Sequence, residues 1–136
     1  MMADDLVLEI VTPDRMIFSG QVEDVTIPGV EGEMGILRGH TPVLTAIDLG
    51  ELSYLKEGKR TYFAVSSGYA EILPYKVTLL VEIAERADVI DKAEVEKQKA
   101  EAAASLAKMV KEDPEYERIT RQLQLADLML KVAQKG

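Results

Sequence analysis

The stretch "VTLLVEIAERADVIDKAEVEKQKAEAAASLAK", Val77–Lys108, changes character midway. Val77–Ile83 is apolar and β-branched, the composition of a strand. From Asp91 to Glu112 there is no Gly or Pro, and strong helix formers dominate. Two structural modules therefore meet near Ala87–Asp91, giving domains at 1–88 and 89–136. Charge shifts at the same place. The whole net charge of -8 falls in residues 1–90, and residues 91–136 are neutral. Of the nine glycines, only Gly136 lies beyond the boundary.

Upstream of the boundary the chain reads as short strands between turn signals. "LVLEIV" (Leu6–Val11) stops at "TPDR", and "VEDVTI" (Val22–Ile27) stops at Pro28-Gly29. Leu52–Lys56 and Thr61–Val65 flank "EGKR", where Gly58 supplies a positive φ for a hairpin. "YAEIL" and "VTLLVEI" flank "PYK" as a second hairpin. Strands at this spacing predict a β-sandwich or barrel, with no sizeable helix before residue 88.

Downstream, Asp91 caps a helix over Asp91–Glu112, with Glu94 at the capping-box position. Asp113-Pro114 breaks it, and Asp113 is expected to cap a second helix opening at Pro114. Tyr116, Ile119, Leu123, Ala126, Leu130 and Ala133 define one face of that helix. Ala100, Ala103, Ala107 and Val110 are expected to form the matching stripe on the first. A short break makes the pair an antiparallel hairpin. Leu125, Leu128, Met129 and Val132 form a further strip that wants a second partner, the β module or another protein.

The totals exclude several classes. The chain has 136 residues and no cysteine, so disulfides and thiolate metal sites are impossible. The opening "MMADDLVLEIVTPDR" is acidic and alternating, with no secretory signal, and no apolar run approaches a membrane span. A charge of -8 argues against nucleic acid. The richest local feature is "GVEGEMGILRGHTPVLTAI", Gly29–Ile47, with four glycines and the only histidine. It holds no GxxxxGK[ST] and no GxGxxG between strand and helix, so it is no phosphate cradle. One histidine beside Glu31, Glu33 and Arg38 makes neither a His-rich metal site nor a nucleophile elbow. What it offers is a tightly turned loop that presents Glu33, Met34 and Arg38 as a docking surface.

This stretch carries a resemblance. "FSG" at Phe18–Gly20, Val22, Pro28-Gly29, Glu31-Gly32-Glu33, Gly35-Ile36-Leu37, Gly39-His40, Pro42 and Leu44-Thr45 closely resemble the signature of the bacterial F-type ATP synthase epsilon subunit. "SSGYAEILPYKVTLLVEIAERADVID" resembles that family further on, and the likeness covers nearly the whole chain. It implies a mainly β plus α protein: an N-terminal flattened ten-stranded β-sandwich, then a C-terminal antiparallel two-helix hairpin. It implies a non-catalytic central-stalk subunit, bound to the gamma subunit and c-ring, that couples rotation to ATP synthesis. No cofactor is implied, and the location implied is peripheral, on the cytoplasmic face of the bacterial plasma membrane.

Residue roles follow from the resemblance as expectations. Glu31, Glu33, Arg38 and His40 are expected to dock on the c-ring. The helical tail is expected to reach the alpha/beta catalytic head in an extended form and inhibit hydrolysis, with Arg118, Arg121, Lys131 and Lys135 as contacts. One departure stands out. Relatives that bind ATP on the tail carry a pattern like I/L-D-x-x-R-A, whereas Ile90-Asp91 is followed here by Glu94-Val95. A carboxylate replaces the phosphate-binding arginine, so ATP sensing is expected to be weak or absent. The alternative readings are a free-standing β-sandwich binding module with a helical dimerisation hairpin, and a small acid–base enzyme using His40.

Overall fold

The computed structural model describes residues 5–136; Met1–Asp4, the acidic start of the first module, lie outside the described residues. Ten strands come first: β1 (Leu6–Val11), β2 (Met16–Val22), β3 (Asp24–Gly29), β4 (Gly32–Ile36), β5 (Val43–Ile47), β6 (Gly50–Lys56), β7 (Lys59–Val65), β8 (Gly68–Leu73), β9 (Lys76–Val81) and β10 (Ala84–Arg86). One 3₁₀ turn, Ala87–Val89, leads into α1 (Lys92–Ala107) and α2 (Tyr116–Ala133).

The strands run in the order β10-β7-β6-β3-β5-β8-β9-β1-β2, with β4 added on β3. The path folds over between β3 and β5, which share only the pair Gly29–Ile47. This makes a sandwich of one layer from β10, β7, β6, β3 and β4 and another from β5, β8, β9, β1 and β2. Alternation sets which side chains enter the core. Leu6, Leu8 and Ile10 of β1 meet Val77, Leu79 and Val81 of β9, all at most 3% exposed. Val25, Ile27, Leu52, Phe63 and Val65 close the core from the other layer. Phe18 stacks on Tyr54 at 4.5 Å, and Tyr54 in turn tilts against Phe63 at 6.1 Å.

The hairpin readings hold, with tighter turns. β6 and β7 extend to Lys56 and Lys59, so only Glu57-Gly58 turns the chain. Both residues have positive φ, 52° and 77°, as a two-residue primed turn demands. β8 and β9 pair up to Leu73–Lys76 around Pro74-Tyr75.

The helices also form, with two corrections. Asp91 caps α1 as expected, its Oδ1 accepting from Glu94 N at 3.1 Å. The expected stripe Ala100, Ala103, Ala107 and Val110 is exposed instead; α1 buries Val95 and Ala102 and half-buries Leu106, and Met109 just past its end is half-buried too. Alanines occur on several sides of α1 and specify no face, so the larger side chains choose it, because each removes more apolar area from water. Asp113 does not cap the second helix. Its Oδ2 accepts from Val110 N at 3.0 Å, closing the turn after α1, and α2 begins at Tyr116. The α2 face holds: Ile119, Ala126 and Ala133 are buried and Tyr116, Leu123 and Leu130 half-buried. Lys99 Nζ bridges to Asp127 at 2.8 Å across the two helices.

Candidate functional site

Register places the glycine-rich stretch around both ends of the sandwich. β3 and β4 form a hairpin whose tip is Val30-Glu31, with Glu33 opposite Pro28. Val30 N donates to Ala46 O at 3.1 Å and Asp48 N to Pro28 O at 2.9 Å, which ties this tip to the end of β5. β4 then runs the length of the sandwich. Arg38 and His40 emerge at the far end, where Gly39 N donates to Pro74 O at 2.6 Å and Arg38 Nη1 to Asp5 O at 3.1 Å. β4 ends at Ile36 and Arg38 lies in the turn beyond it, so β4 separates the Glu33 end from the Arg38–His40 end. The structure thus brings Glu31 with Glu33, and Arg38 with His40, but does not gather all four.

His40 serves its own turn. It is half-buried, its Nδ1 lies 2.7 Å from Thr41 O, and its backbone N donates to Leu37 O at 3.2 Å. Among the described residues no hydrogen bond joins it to Glu31 or Glu33, and no group of three or more His, Asp or Glu side chains is arranged to hold a metal. No acid–base pair is assembled there.

The outer faces of the two layers differ in chemistry. On the layer of β5, β8, β9 and β1, Ala46, Tyr69, Leu80 and Val11 lie opposite one another across four adjacent strands. Leu44 extends this row. Leu44, Tyr69 and Leu80 are 73%, 60% and 55% exposed. A groove beside the row is lined by Val11, Pro13, Tyr69 and Leu80. Sequence reading missed this patch, because single outward apolar residues on separate strands join only through register.

The outer face of the other layer carries the helical tail. Val132 of α2 is fully buried against Ala64 of β7 and Ala87, with Leu128, Met129, Tyr62 and Ile90 around them. The second partner of the α2 strip is thus the sandwich itself. Beside this contact lies a cleft of about 320 Å³, lined by Tyr54, Lys59, Arg60, Tyr62, Arg86 and Lys135 among others. Three of these cations are already paired: Arg60 to both Asp24 oxygens at 2.9 and 3.0 Å, Arg86 to Asp88, and Lys135 to Glu51 at 2.7 Å. The Arg86 hydrogen bond holds the Asp88 carboxyl below its ordinary range. The cleft is a joint between modules.

Of the predicted tail contacts, Arg121 and Lys131 are exposed, and Arg118 pairs with Glu115 one turn away. Lys135 is engaged with the sandwich, its Nζ also 4.9 Å from the centre of the Tyr62 ring.

This architecture, a sandwich with an antiparallel helical hairpin folded on one layer, has close counterparts. A family model described as the ATP synthase delta/epsilon chain β-sandwich domain matches residues 5–87. The ATP synthase epsilon chain of Geobacter sulfurreducens is 40% identical over 135 residues, 99% of this chain and 98% of that one. That of Chloroflexus aggregans is 48% identical over 95 residues, 70% of this chain and 68% of that one. A chain in the cryo-EM structure of the Euglena gracilis mitochondrial ATP synthase, OSCP/F1/c-ring, superposes with a TM-score of 0.74 at 25% identity, covering 99% of this chain and 82% of that one. The chain belongs to the ATP synthase delta/epsilon chain family. It is an epsilon-type, non-catalytic subunit of the central stalk.

Proposed function

We propose that the sandwich is an adaptor between two rotor parts, and that its two docking surfaces are chemically distinct. The gamma subunit binds the apolar row Ala46–Tyr69–Leu80–Val11, and this row is the observation that carries the reading. An exposed apolar surface spanning four strands favours a permanent partner. The c-ring meets the β3–β4 tip, where Glu31 and Glu33 offer carboxylates to polar loops. Such contacts set register and partner choice more than affinity. Arg38 and His40, at the other end, do not share that contact, since one flat partner cannot engage both ends.

The tail is the regulatory element. Released from the sandwich, α2 reaches the alpha/beta head and inhibits hydrolysis through Arg118, Arg121 and Lys131. The chain thus sits at the cytoplasmic face of a bacterial membrane as a peripheral subunit, held there by the complex. No helix among the described residues is long and apolar enough to cross a membrane.

The test is reconstitution with a matched catalytic head and gamma subunit. Leu80→Glu places a charge in an apolar contact, a cost of several kcal/mol, so gamma binding is expected to fall at least roughly 100-fold. Unchanged binding removes the row from the interface. In the same assay, the whole chain is expected to inhibit hydrolysis and a chain ending at Asp88 to bind without inhibiting. Equal inhibition by both would move the brake into the sandwich.

A further inference from the structure

The helical hairpin touches the sandwich over a small area. α2 makes the contact, against β7, β6 and the 3₁₀ turn, while α1 packs principally on α2. The apolar part of this contact centres on Val132, whose fully buried neighbours are the small side chains Ala64 and Ala87. Among the described residues, Lys135–Glu51 is the one ion pair that joins the hairpin to the sandwich. Lys99–Asp127 and Arg118–Glu115 lie within the hairpin. Lys135 also lies over the Tyr62 ring. Val132, Lys135, Glu51 and Tyr62 therefore meet where the chain leaves α2.

We propose that Lys135 is a latch, and that breaking its pair with Glu51 lets α1 and α2 swing off the sandwich together as one unit. The α1–α2 seam is independent of the latch. Ala102, Ile119 and Ala126 stay buried within the hairpin, and Lys99–Asp127 bridges it. Lys135 is charged at neutral pH, and the Glu51 hydrogen bond raises its pKa further. Both partners of the pair remain part-exposed, at 43% and 30%, so salt screens the latch. This inference rests on the regulatory reading of the tail and assigns it a control point on the sandwich.

The experiment measures a distance within the full chain. The chain has no native cysteine, so spin labels at Lys97→Cys on α1 and Asp14→Cys on the β1–β2 loop are unique. The unmodified latch is expected to give one narrow distance distribution at low salt. Lys135→Gln and Glu51→Gln are each expected to raise the long-distance population about fivefold, with helical circular dichroism unchanged. The charge-exchanged pair Glu51→Lys with Lys135→Glu is expected to restore the narrow distribution. Should a variant fold poorly, the native pair at about 1 M salt, where charges are screened beyond about 3 Å, is expected to broaden likewise. An unchanged distribution in both variants and in high salt overturns the latch. Release accompanied by loss of helix overturns the single-unit swing. The readout is independent of any catalytic head, so a failed latch is distinguishable from a tail that swings but does not inhibit.

Discussion

Gly68 opens β8 directly against β9. A Cβ there would lie 2.0 Å from Leu80 O and 2.8 Å from Val81 Cα, both backbone atoms of the paired strand. No side chain can move aside to relieve that contact. Gly68→Ala is therefore expected to destabilise the sandwich by about 3 kcal/mol, measured by urea unfolding, the upper range for overpacking. Glu57 presents the opposite case. It occupies a positive φ of 52° that costs an ordinary residue about 1 kcal/mol. Glu57→Asn, the residue favoured at this turn position, is expected to stabilise the chain by about 0.5–1 kcal/mol. The sequence announces Gly58 through its turn signal, but the need for glycine at position 68 comes from a strand that follows later and is visible only in the pairing. The same holds for the site residues. Glu33 and Arg38 are neighbours in sequence, yet β4 and the turn after it bring them to different ends of the sandwich.

Among the elements, α1 shows how local signals compete. Its cap was legible, and Asp91→Ala is expected to cost about 1 kcal/mol and to fray the first turn, read as faster amide exchange at Val95. Its buried face was not legible, because alanines fall all around the helix and only Val95 and Leu106 distinguish one side. With Asp91 committed to the cap and Glu94 in place of an arginine, millimolar ATP is expected to leave the melting temperature unchanged; a rise would reinstate nucleotide sensing. The docking of α2 carries a pH prediction. The folded Lys135 pKa is raised above its ordinary 10.5, so this contact contributes fully below that pH and is lost as pH rises through the folded value. Tail release, followed by the same label pair, is expected to increase at strongly alkaline pH. At the acid end, Asp88 is held below its ordinary 3.8, and its contribution fades as pH falls past that value.

For the whole molecule, the boundary between strand and helix was written in composition, in glycine usage and in the uneven charge. The layer arrangement was not. β1 pairs in parallel with β9, from Val7–Lys76 to Val11–Leu80, and no turn signal can reveal a partner about 70 residues away. The exposed apolar row depends on that pairing, since Val11 joins Leu80 only through it. This parallel pair also fixes an order of events during synthesis. Contacts so distant along the chain make folding slow, on the scale of milliseconds to seconds. β1 and β2 can form their hairpin early, but the free hydrogen-bonding edge of β1 stays unpaired until β9 has left the ribosome. The helices follow β9 in the chain, so they always meet a body already able to close. A tail deletion should accordingly leave the sandwich's refolding rate nearly unaltered, and stopped-flow mixing would reveal whether it does.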